Sequence, residues 1–289
     1  MCYEKYKSSV ILMSSKRHIS KKTKSLYLII NSFCAYLTMS ISLIYGYYFF
    51  QMAVAKFFHI QSILYFDRIV FISLNTMWSP KIVLISYSAP VVFSFFASIF
   101  FFYAYIALRR QPYLIRLYCL WGHIISIGLF FSSFIHGAFA YKGFAVIFKW
   151  FNIAEQWNYV LAVIGIIGLC VMGLYIGLWF LKMAPSKEFD VHKKPRKFLF
   201  QVAMLPFLTS TVIVSSILII KLQESIPLIV IQLGIGLMLS FTILRAEPLP
   251  QRVVLVKDSA TGKFSLSAIL VGVFSLIIAI YLTYEGISL

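Results

Sequence analysis

Residues 16–50 read KRHISKKTKSLYLIINSFCAYLTMSISLIYGYYFF: five Lys or Arg within nine residues, then Leu26 to Phe50 without one Asp, Glu, Lys or Arg. At 1.5 Å per residue, a helix over that second part is long enough to cross a hydrocarbon core of about 30 Å. The basic cluster ahead of it would stay on the cytoplasmic side, because Lys and Arg flanking a span resist translocation. This stretch therefore reads as the first span of a membrane protein, preceded by its orientation signal.

Working outward, six more uncharged apolar runs follow: Val83 to Leu108, about Leu117 to Ala140, Trp157 to Leu181, Phe198 to Ile220, Ile226 to Leu244 and Phe264 to Tyr284. The predicted fold is all-α, a polytopic bundle of about seven transmembrane helices. Residues 1–25 form a basic cytoplasmic tail and residues 26–289 a single transmembrane domain. Composition agrees: 61% of residues are hydrophobic and 12% charged, against about a quarter charged in soluble domains.

Charge placement sets the predicted orientation. The tail holds seven Lys or Arg, the 109–116 connection three, the 182–197 connection six and the 245–263 connection four, which is 20 of the 26. The alternate segments hold Lys56, Arg68, Lys81, Lys142, Lys149 and Lys221. The amino terminus is expected inside and the carboxyl terminus outside. The link between the fifth and sixth spans is very short, and losing either span would reverse the far terminus. The net charge of +17 sits against the spans, so anionic lipid head groups on the cytoplasmic side explain it, and nucleic acid is not an expected partner. The first span has no small-residue cleavage site and reads as a retained signal-anchor. A bacterial inner membrane is the expected location. Cys2, Cys34, Cys119 and Cys170 avoid the outer loops, so no disulfide framework is predicted.

Three connecting segments carry structural expectations. Gln51 to Ile82, rich in Phe, Ile and Leu but broken by Lys56, Asp67 and Arg68, reads as an interfacial helix on the outer surface. Tyr141 to Gln156 reads as a surface-hugging or re-entrant piece, with Trp78, Trp150 and Trp157 at the same level as an aromatic belt. Pro248 to Lys263 suggests a short strand and turn.

An ionisable residue inside a span is a functional candidate. Two exist, His123 and His136, both in the third span. Thirteen residues apart, they lie about 20 Å apart along the helix and cannot share one metal. A two-haem arrangement would need partner histidines that the other spans lack, though His59 could pair with His136. His136, His59, Asp67 and Glu155 are the outer-face residues able to form a metal site, and His123, His136 and Glu155 the candidates for acid–base catalysis. No His-Glu-x-x-His occurs and no cofactor is predicted. Serine hydrolysis is disfavoured because Ser132 and Ser133 are expected to point away from His136. No mid-membrane carboxylate is present for ion coupling, and no Lys in the seventh span for a retinal Schiff base.

The stretch Leu120-Trp-Gly-His123 through Phe134-Ile-His136-Gly137-Ala138, with Gly143 and Trp150, resembles a pattern in uncharacterised bacterial polytopic membrane proteins grouped loosely with site-2-protease-like proteins. The resemblance covers roughly residues 80–183. That protease family's zinc-binding helix and Asp-Gly ligand segment are missing here. The resemblance therefore implies a scaffold rather than proteolysis, and carries over no catalytic residue.

Packing motifs are more numerous. Gly173-Leu-Tyr-Ile-Gly177 is a G-x-x-x-G with Gly165 and Gly168 upstream. Ala268-x-x-x-Gly272 and Gly236-x-x-x-Ser240 are looser versions. They serve either internal packing or a membrane-protein partner docked on Gly173 and Gly177. Pro206 should kink the fifth span, with Thr209-Ser210-Thr211 supplying hydroxyls to the freed carbonyls. Asn31, Asn158, Gln201 and Gln232 either line a pathway or bond to one another. The functional expectation is a non-enzymatic scaffold or assembly subunit, the alternative an enzyme or small-molecule transporter built on the outer His, Asp and Glu residues.

Overall fold

A computed structural model describes residues 21–72, 78–140, 143–184, 194–218, 226–246 and 265–288. The apolar runs become helices: α1 (Lys21–Phe57), α2 (Pro80–Ala107), α3 (Tyr113–Ala140), α5 (Gln156–Met183), α8 (Ile226–Leu244) and α9 (Leu266–Tyr284). The short α4 (Ala145–Trp150) separates α3 from α5. The predicted fifth span is α6 (Pro195–Leu199), a π-helical turn (Phe200–Met204) and α7 (Leu205–Leu218) in succession. Six segments are long and apolar enough to cross a membrane, and Leu228–Leu244 is a shorter apolar helix. The protein is a multi-pass membrane bundle.

Starts and stops follow local chemistry. Ser79 caps α2 by accepting from the Ile82 amide at 3.4 Å, with Pro80 supplying a preset φ at the first helical position. Ser265 caps α9 through the Ala268 amide at 3.3 Å. The end of α1 is a Schellman closure: the Ile60 amide reaches Ala55 O at 3.0 Å and the His59 amide reaches Lys56 O at 2.9 Å. His59 takes the left-handed position that closure requires, at φ 59°.

The third span is the axis of the bundle. It packs against α1, α2, α5 and α8. Of its apolar window 72% is buried inside the protein, against 33% for α5 and α9, whose remaining surface is left for lipid. At its core sits Trp121, fully buried and edge-on to Tyr36 and Phe180 at 4.9 and 5.2 Å. Its indole N–H donates to Ser32 Oγ at 3.0 Å, and Ser32 donates to Val202 O at 2.5 Å. Val202 O is the carbonyl that an amide at position 206 would serve in an α-helix, and Pro206 has none. The donor thus comes from α1, where the sequence pointed to the local hydroxyls; Thr209 instead bonds Leu205 O at 2.9 Å and Thr211 bonds Gln232.

Small residues let backbones close up where lipid removes any hydrophobic drive between helices. A Cβ on Gly168 would collide with the Phe131 ring of α3, and one on Gly173 with Met238 O of α8. Thr242 Oγ1 of α8 donates to Gly173 O at 2.9 Å. The Gly173–Gly177 stripe packs against Met238 and Thr242 of α8. Gly272 lies on Cys34 of α1.

Among the described residues beyond α1 no interfacial helix forms, contrary to the expectation for Gln51 to Ile82. The helix runs on to Phe57, and β1 (Ser62–Leu64) then pairs antiparallel with β2 (Ile69–Phe71) around the turn Tyr65 to Arg68. A short apolar run does not distinguish helix from strand, and the β-branched Ile63, Ile69 and Val70 decide it. The third strand, β3 (Ile287–Ser288), pairs with the other edge of β1, Leu64 opposite Ile287. This pairing holds the end of α9 beside the end of α1, at the pole opposite the basic segments (hereafter the far end). The number of crossings from α1 to α9 is therefore odd, which α8 makes seven. Residues 141–142 and the strand-and-turn expectation for Pro248 to Lys263 lie outside the described residues.

Candidate functional site

A cavity of about 170 Å³ opens within the far half of the bundle. Tyr47, Tyr48 and Gln51 reach it from α1, Tyr87 and Pro90 from α2, Ser133 and His136 from α3. Arg68, Ile69 and Phe71 of the hairpin, Gly143 and Val146 at α4, and Ile231 of α8 complete its wall. The volume suits a molecule about the size of benzene, and the mostly apolar wall carries hydroxyl, amide, imidazole and guanidinium groups.

Each polar group is placed by its element. Tyr47 lies ten residues before the end of α1, about 15 Å below the hairpin. Its hydroxyl is 2.9 Å from Ser133 Oγ. Ser133 spends its own proton on Leu129 O at 2.7 Å, so Tyr47 is the donor of that pair. Ser133 and His136 do share the cavity, against the expectation that this serine points elsewhere; at three residues' spacing they lie on one helix face. The serine proton is directed to the backbone, so the two are not arranged as nucleophile and base.

Arg68 is held by the hairpin turn, which the Tyr65 amide closes on Arg68 O at 2.9 Å. Its Nη1 donates to Asp67 Oδ2 at 3.3 Å, and its guanidinium lies 4.8 Å over the Tyr65 ring. Asp67 is buried beneath it, and among the described residues this is the one ion pair. A guanidinium carries five N–H donors, enough to serve both Asp67 and a molecule in the cavity. Gly143 sits at φ 62°, and a Cβ there would come within 3.2 Å of His136 Nδ1. The glycine lets the α4 connection fold down over the histidine.

The remaining candidates are dispersed. His123 is in the other half of α3, with Nδ1 3.0 Å from Ser98 Oγ and 3.1 Å from Ser98 O, and its ring beside Phe102. His59 is exposed and closes α1. Glu155 is exposed and lines a separate, open depression of about 490 Å³ with Lys149, Asn152 and Asn158. Among the described residues no three His, Cys, Asp or Glu side chains gather as a metal site. Gln232 accepts from Tyr36 and Thr211, both at 3.0 Å, so this glutamine bonds within the core rather than lining a pathway. The sequence reading missed Tyr47, Tyr48, Gln51, Arg68 and Tyr87 as cavity residues; the advance signal was the cluster Tyr45, Tyr47 and Tyr48 near the far end of α1.

No protein-family model, curated protein or solved structure matches this chain.

Proposed function

We propose that this membrane bundle binds a small polar molecule with an anionic or hydrogen-bond-accepting group, admitted from the far end into the Tyr47–Arg68–His136 cavity. The observation that carries this reading is the cavity itself. Three tyrosines, a glutamine, an arginine and a histidine from four separate segments surround a space inside an otherwise close-packed bundle. Packing motifs favoured a scaffold, but the glycine stripes are spent on α3 and α8 within the chain. The cavity is the feature that packing alone does not explain, since a bundle gains nothing from hollowing out its polar half.

The chemistry follows from the donors. Arg68 supplies charge and a planar fork, Tyr48 supplies a hydroxyl on an apolar body, and His136 accepts or donates according to its tautomer. Such a wall suits a small carboxylate or a comparable oxyanion. The test is thermal unfolding of detergent-purified protein against a panel of small oxyanions and neutral analogues. Saturable stabilisation by one anion, lost in Arg68→Gln and His136→Ala but kept in Glu155→Ala, is the expected result. An equal response in all four proteins sinks the reading.

A further inference from the structure

At the opposite pole, Arg116 differs from the other Lys and Arg whose burial is described in being buried, at 6% exposure. Its Nε has no hydrogen-bond partner. The guanidinium lies 5.4 Å over the Tyr105 ring, and among the described residues no carboxylate is within ion-pair distance. A buried guanidinium that no described carboxylate pairs is costly, and an anion beside it would lower that cost.

The surroundings point the same way. Arg116 lies in the first turn of α3, where helix amides and the dipole favour negative charge. That turn contains no acidic residue, and Pro112, just before it, has no side-chain acceptor to cap it. Arg109 and Arg110 lie exposed immediately upstream. On the other flank, the Tyr105 hydroxyl donates to Trp179 O at 3.2 Å, and Lys182 Nζ lies 4.7 Å over the Trp179 ring. Arg109 and Arg110 precede this helix start in sequence, and Lys182 is linked to Arg116 through Trp179 and Tyr105.

We infer that Arg116 and the start of α3 form a binding site for a phosphate group, of which Arg116 is the buried anchor. An arginine fork meets phosphate oxygens in a bidentate manner, and basic pockets between helices on this side of a membrane suit anionic lipid head groups. The site is separate from the far-end cavity and stands whether or not that cavity binds a ligand.

The test reconstitutes the full chain in nanodiscs of phosphatidylcholine, alone or with increasing phosphatidylglycerol, and follows the thermal midpoint. A third arm adds inorganic phosphate to the phosphatidylcholine discs. The wild type should be stabilised by phosphatidylglycerol, with the apparent affinity about tenfold or more weaker in Arg116→Gln. The double variant Arg109→Gln/Arg110→Gln should keep most of the response. Stabilisation by inorganic phosphate as well assigns the site to a soluble anion; stabilisation by the lipid alone assigns it to a head group. If Arg116→Gln does not fold, Arg116→Lys keeps the charge but loses the fork, and its lipid response should weaken. A wild-type response in Arg116→Gln or Arg116→Lys overturns the inference, as does loss of response in the double variant alone.

Discussion

The two halves of α3 solve opposite problems with the same residue types. Around Trp121 the bundle is filled: one indole N–H, one hydroxyl and one proline-freed carbonyl form a closed chain of donors and acceptors across three helices. Around His136 the bundle keeps a cavity, lined by polar groups that also bond to their neighbours, Tyr47 to Ser133 and Arg68 to Asp67. The first arrangement makes a unique packing, because an unpaired polar group away from water is expensive. The second leaves room for an occupant beside those bonds. Polarity alone therefore does not distinguish structure from function in this chain; what separates the two regions is whether the polar groups border a space.

The contrast can be broken most severely at Trp121. Trp121→Ala should cost about 3–5 kcal/mol, by cavity formation and by leaving Ser32 without its donor, read as a large fall in thermal midpoint in detergent. Gly173→Leu is next, at about 1–3 kcal/mol, because the side chain must push α8 away from its bond to Gly173 O. The two histidines then make the sharpest pair. His123→Ala should destabilise by about 1–3 kcal/mol, since Ser98 loses its buried partner. His136→Ala should leave the midpoint within about 1 kcal/mol yet abolish anion-dependent stabilisation. If both behave like His123, the far half is structural and the comparison fails. Smallest of all, Glu155→Ala should stay within about 0.5 kcal/mol and leave the anion response unchanged.

The spans were legible because an uncharged run of about 20 residues has few other uses in a protein, and Leu26 to Phe50 shows it plainly. An internal use of Gly173 and Gly177 was one of two readings that the stripe allowed, and the positions of Met238 and Thr242 show that internal contact. The hairpin at Ser62 to Phe71 was not legible, since Phe, Ile and Leu over a few residues suit a surface helix equally well. His59 shows the limit for sites: its chemistry suggests a ligand, whereas its backbone conformation makes it a helix stop. The cavity was hidden for a different reason. Its polar residues come from α1, α2, α3 and the hairpin, and no sequence spacing encodes the approach of Arg68 to His136.

The strand pair joining Leu64 to Ile287 carries a consequence for assembly. The outer edge of β1 is unsatisfied until residues near 287 have crossed the bilayer, so the hairpin beside Arg68 is finished only after the last helix is in place. Closure of this small sheet thereby follows the insertion of α9, at the rim of the cavity. A chain halted before α9 would present an open strand edge to whatever quality-control protease patrols that side.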